Sequence, residues 1–90
     1  MLTDLFTIIE DRAKNRVEGS YTNYLQDKGN EKICKKIGEE ASEVIIAAIK
    51  GDTKECTYEI SDLIFHLLVL MQHNGITLNQ IEDELKSRHK

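Results

Sequence analysis

The segment from Leu63 to Met71 sets the strongest limit on the fold. Leu63, Ile64, Phe65, Leu67, Leu68, Val69, Leu70 and Met71 fill eight of its nine positions. The surrounding pattern reads as a helix from about Lys54 to His73, with Asp52 or Thr53 as its cap and Asn74-Gly75 as its stop. At about 100° per residue, the apolar side chains cover most of its circumference. A helix that is apolar nearly all round must be covered on nearly all sides. The chain has 90 residues, enough for one domain over 1–90. A domain of this size buries only roughly 60–65% of its unfolded surface. Three other short helices would struggle to cover this one, so the pattern predicts a homodimer with this helix at the centre of a bundle.

Three further helices are legible. Leu5, Ile8, Ile9 and Ala13 share one face of a helix from about Thr3 to Lys14, with Thr3 as N-cap. A helix from about Glu31 to Lys50 is capped by Asn30 and stopped by Gly51. The last runs from about Leu78 to His89, and Thr77 with Gln80 has the spacing of a capping box. Residues 15–29 read as a loop, rich in Asn, Gly, Ser and Asp. Tyr21, Tyr24 and Leu25 lie within it, so it is expected to fold back onto the body. No strand pattern, repeat or proline interrupts the helices. The fold class is therefore all-α.

Charge excludes some functions. The net charge of −4 argues against a general nucleic-acid binder, which would need a basic face to neutralise phosphates. A nucleotide substrate stays possible, because a metal ion can bridge acidic side chains and phosphates. The longest apolar run, Leu67 to Met71, is far below the ~20 residues of a membrane span. The N-terminus has no leader pattern. Cys34 and Cys56 form no metal-type pair and read as small half-buried thiols in a reducing cytoplasm.

The chemistry lies in two acidic pairs. Glu40 and Glu43 are three residues apart on the second helix, as are Glu59 and Asp62 on the third. That spacing puts each pair about 60° apart on one helix face. Glu40 falls inside the edge of the apolar arc of its helix, with Glu39 and Glu43 at the border. Glu55, Glu59, Asp62, His66 and His73 form one stripe on the next. Acidic groups drawn into an apolar face are costly without compensation. Four facing carboxylates would also repel one another, and a divalent cation removes both problems. All-oxygen donors favour Mg²⁺, Mn²⁺ or Ca²⁺. The absence of an EF-hand loop and the sharing of Mg²⁺ with phosphates point to Mg²⁺. Acidic pairs also occur on plainly solvated helices, so a non-catalytic helical interaction protein is the competing reading.

These residues carry a resemblance. Glu40-x-x-Glu43, then fifteen residues, then Glu59-x-x-Asp62, resembles the metal signature of the all-α MazG-like nucleotide pyrophosphohydrolases. Gly19-Ser20-Tyr21-Thr22, Gly29, the run from Lys35 to Val44, and Asp62-Leu63-x-x-His66 are similar to the phosphoribosyl-ATP pyrophosphohydrolase family over nearly the whole chain. Phe65, Ser61 and the missing proline before Gly19 depart from that pattern without touching a proposed ligand. The resemblance implies a four-to-five-helix MazG-like bundle completed by homodimerisation. It implies Mg²⁺-dependent conversion of phosphoribosyl-ATP and water to phosphoribosyl-AMP and pyrophosphate, the second step of histidine biosynthesis, in the cytoplasm. No cyclohydrolase domain accompanies the sequence, so a stand-alone enzyme is expected. A house-cleaning (d)NTP pyrophosphatase of the same superfamily is the alternative.

The resemblance also assigns roles. Glu40, Glu43, Glu59 and Asp62 become the metal ligands, and Glu39 becomes the catalytic base or the holder of a second ion. Lys36, one turn before Glu40, can reach the same site. Arg12, Lys28, Lys32 and Arg88 are further candidates for the phosphates. Ser20 and Thr22 are expected to hydrogen-bond a phosphate or ribose, and Tyr21 to pack on the base or the body. His66 is expected to orient a carboxylate or contact phosphate, whereas His73 and His89 read as surface residues.

Overall fold

A computed structural model describes residues 1–89, and among these every regular element is helical. The order is α1 (Leu2–Lys14), α2 (Tyr21–Lys28), α3 (Asn30–Lys50), α4 (Thr53–His73) and α5 (Leu78–Arg88). The long pair α3 and α4, 21 residues each, forms the central hairpin. Gly51 turns the corner in the left-handed conformation, at φ 76°. Asp52 caps α4, its side chain accepting the Glu55 N–H at 3.0 Å. Thr77 and Gln80 make the expected capping box.

Residues 21–28 correct the sequence reading, because they form α2 rather than a loop. Ser20 caps this helix by accepting the Asn23 N–H. Leu25 is fully buried against the body, as expected for a segment that folds back. Asn23, which reads as loop chemistry, is a buried tie. Its amide donates to the Arg12 carbonyl at 2.8 Å, and its oxygen accepts the Val17 N–H at 2.9 Å. Arg16 clasps Asp27 with both guanidinium nitrogens, at 2.8 and 2.6 Å.

Two caps differ from expectation. Helix α1 begins at Leu2 with Met1 as N-cap and no side-chain cap, so Thr3 lies within the first turn. Asn30 is already helical, and its side chain pairs with that of Asn74 across the bundle. The residue before it, Gly29, ends α2 and begins α3 at φ 81° and ψ −168°. That conformation is open essentially to glycine alone.

Phe6, Ile9, Leu25, Ile33, Leu68 and Val69 form the core, where α1 and α2 cover one end of the hairpin. The buried face of α1 is Phe6–Ile9, rotated from the expected stripe, and Ile8 is half exposed. Cys34 is exposed rather than half-buried, and both cysteines are free. The other end of the hairpin is bare: Ile45, Ile46, Ile49, Tyr58 and Ile60 are all exposed. Helix α5 buries no residue. The radius of gyration is 14.3 Å, against about 12 Å for a compact chain of this length. No helix among the described residues is long and apolar enough to cross a membrane.

Candidate active site

The hairpin brings the two acidic pairs face to face. On α3 the buried residues are Ile33, Glu40 and Ala47. At about 100° per residue, Glu40 falls between Ile33 and Ala47 on the helical wheel. It therefore sits in the middle of the buried stripe, deeper than its edge position in the sequence pattern implies. Opposite it, α4 buries Glu59 and His66 and half-buries Asp62.

Two overlapping groups result. Ligand atoms of Glu40, Glu43 and Glu59 lie within 4.8 Å of one another, and so do those of Glu40, Asp62 and His66. Glu40 is common to both. Glu40 Oε2 and Glu59 Oε1 are buried and have no hydrogen-bond partner among the described residues. A buried polar oxygen without a partner is costly. Burial pushes the Glu40 carboxyl up to about 7, with Asp62 and Glu43 adding to the shift and Lys36 opposing it. Burial likewise raises Glu59 to about 7, reinforced by Glu43 and then Glu55. Glu40, Glu43 and Glu59 offer oxygen donors only, and these crowded carboxylates with two unsatisfied oxygens fit a hard divalent cation.

The cationic and aromatic rim follows from helix register. Lys36 Nζ lies 3.7 Å from Glu40 and 3.8 Å from Glu39. Partial burial lowers its pKa, but Tyr21, Glu39 and Glu40 outweigh this and hold it above the ordinary lysine value. Glu39 itself is exposed and lies outside both carboxylate groups. His66 Nδ1 is 2.7 Å from the Asp62 carbonyl, which can only accept. Nδ1 is thus the protonated nitrogen, and in the neutral ring Nε2 accepts the Tyr21 hydroxyl at 2.9 Å. With both nitrogens engaged, His66 serves as a strut between α2 and α4. Burial raises the Tyr21 pKa further, which keeps the hydroxyl a neutral donor.

The remaining candidates are spread more widely. Ser20 is occupied as the α2 cap. Thr22 stands half-buried on the same helix. Lys28 and Lys32 flank the Tyr24 ring. Arg12 lies 3.9 Å from Asp11 on α1, and Arg88 is paired with Glu84 on α5. Sequence reasoning missed the role of Asn23, which anchors the helix carrying Tyr21. Its signal, Ser20 three residues earlier as a cap, was present.

Helices that converge four carboxylates on one side of a hairpin define a candidate divalent-cation centre of the helical hydrolase type. The chain belongs to the phosphoribosyl-ATP pyrophosphohydrolase family, whose profile matches residues 2–89. It is 53% identical over its full length to the "Histidine biosynthesis bifunctional protein HisIE" of Caldanaerobacter subterraneus, and spans 44% of that protein. It is 49% identical over its full length to the "Phosphoribosyl-ATP pyrophosphatase" of Clostridium acetobutylicum, spanning 82% of it. A protein of the same name from Listeria monocytogenes is 56% identical over 88 residues, which are 98% of this chain and 84% of that one. The chain thus spans less than half the length of its bifunctional relatives and most of the length of the single-activity ones.

Proposed function

We propose that this chain hydrolyses phosphoribosyl-ATP to phosphoribosyl-AMP and pyrophosphate with Mg²⁺ held by Glu40, Glu43, Glu59 and Asp62. The observation that carries this reading is the pair of buried, partnerless carboxylate oxygens, Glu40 Oε2 and Glu59 Oε1, facing across α3 and α4. The names of the relatives supply the substrate. The cation, when bound, supplies charge neutralisation for the triphosphate and a water of lowered pKa. The chain's own residues do the rest. Lys36 adds a positive charge beside the carboxylates where the phosphates must lie. Glu39, at the rim and held by Lys36, is positioned to orient the attacking water or take its proton. Tyr21, pinned by His66, walls the site on the α2 side. Ser20 and Thr22 stand at the start of the same helix.

Pyrophosphate release tests this. Phosphoribosyl-ATP with Mg²⁺ is expected to give turnover that stops on chelation, with ATP and dUTP as slow controls. Turnover of the ordinary nucleotides alone would reassign the substrate, and no turnover of any would remove the reading.

The working unit is proposed to be a homodimer in the cytoplasm. The bare isoleucines of the hairpin support the first part, and the two free thiols suit a reducing compartment. Ile49 is 82% exposed at the hairpin tip. Ile49→Asp is expected to shift the species in sedimentation from dimer toward monomer. A wild-type protein that sediments as a monomer at all concentrations would rule the dimer out.

A further inference from the structure

One cluster lies outside the carboxylate centre. Lys28, at the end of α2, and Lys32, in the first turns of α3, hold their ammonium groups 5.8 and 6.0 Å from the centre of the Tyr24 ring. With Lys35 and Glu31 they line a shallow depression of about 330 Å³. Among the described residues none of these three lysines forms an ion pair, not even with neighbouring Glu31. Two ammonium groups over one tyrosine ring, with a third lysine lining the same depression and only Glu31 as an acidic neighbour there, are unexpected in a chain of net charge −4. Mutual repulsion disfavours the arrangement, and an anion would relieve it.

The cluster is aligned with the carboxylates. Lys32, Lys36 and Glu40 succeed one another at four-residue spacing along α3, so the first and last are about 12 Å apart along the axis. Beside this row runs an aromatic wall. The Tyr24 ring stacks on Tyr21 at 6.0 Å, Tyr21 on Phe65 at 6.1 Å, and the Tyr21 hydroxyl reaches His66, which abuts Asp62. The order of chemistry along the surface is therefore carboxylates, aromatic rings, then lysines. The proposed substrate has the matching order: a triphosphate, a ribosylated purine, and a second ribose ending in a phosphomonoester.

We infer that Lys28, Lys32 and Lys35 form a subsite for this far phosphomonoester, with Tyr21 and Tyr24 bordering the purine. The inference rests on the proposed function above. It explains how such an enzyme separates its substrate from ordinary nucleoside triphosphates: ATP has the triphosphate and the purine but nothing to place among the lysines. A site that uses remote contacts for recognition discriminates through substrate binding and need not alter the reacting centre.

The test replaces the lysines by glutamine, singly and together, with Lys86→Gln on α5 as a control for surface charge. Each single variant is expected to raise KM for phosphoribosyl-ATP about 3–10-fold, and the triple variant about 100-fold, with kcat little changed. Binding of phosphoribosyl-AMP should weaken in parallel, while binding of AMP, which lacks the far phosphate, should not change. Lys32→Arg should retain most of the affinity. Wild-type turnover with an unchanged KM in the triple variant would overturn the subsite and leave the function standing. An inactive wild-type protein would overturn both. Equal weakening toward AMP and phosphoribosyl-AMP would also overturn it, by showing a general charge effect.

Discussion

Glu40→Gln is expected to reduce pyrophosphate release by at least about 10²–10³-fold, the scale of losing one preorganised electrostatic contact, and to leave a folded protein. Glu40 belongs to both carboxylate groups, so its loss affects every arrangement of the cation. Glutamine keeps the shape and removes the charge. Because Glu40 Oε2 has no hydrogen-bond partner, the substitution breaks no bond at that atom. The metal-free variant should therefore melt at a higher temperature than the metal-free parent at pH 8, where the parent must bury a charge. Added Mg²⁺ should no longer raise its melting temperature. Asp62→Ala should likewise abolish turnover in a folded protein. Steady-state kinetics with thermal unfolding checks all of these, and full turnover in either folded variant would sink the ligand assignment.

The second large effect is a reversal of pH dependence by Mg²⁺. In the metal-free protein Glu40 and Glu59 titrate near 7 rather than at 4.5. Between those values the folded state holds more protons than the unfolded state, so stability falls as pH rises. The contribution is fully present below about pH 4.5 and is lost through about pH 7. Metal-free protein should thus be less stable at pH 8 than at pH 5.5. Bound cation requires the ionised carboxylates, so Mg²⁺ should stabilise strongly at pH 8, little at pH 5.5, and release protons on binding near neutrality. Thermal unfolding with Mg²⁺ or chelator at the two pH values checks this. Equal Mg²⁺ stabilisation at both would remove these carboxylates as the binding groups.

The long helices and the acidic pairs were legible because each depends on local spacing. Thr77 with Gln80, Gly51 and the Glu40/Glu43 and Glu59/Asp62 pairs all declare themselves within a turn or two of chain. Helix α2 was hidden because Thr22, Asn23 and Asp27 are turn-forming residues, and two of them are committed to distant partners. Asn23 reaches the Arg12 carbonyl and Asp27 pairs with Arg16, neither of which is visible in local periodicity. Asn30 reads as a cap but spends its side chain on Asn74, 44 positions away. The depth of Glu40 was understated for a related reason. The arc of apolar side chains on α3 includes Cys34 and Ala48, which the fold leaves exposed, so the true buried line runs closer to Glu40.

Gly29 gives the molecule a measuring edge. A single residue joins α2 to α3, in a backbone conformation open essentially to glycine alone. That short link keeps Tyr24 and Lys28 beside Lys32, in line with Lys36 and Glu40. A molecule laid along this edge meets carboxylates at one end and lysines at the other, and one too short to span both leaves the lysines without a partner. In the subsite inferred above, selection by length rests on the spacing of Lys32, Lys36 and Glu40 along α3.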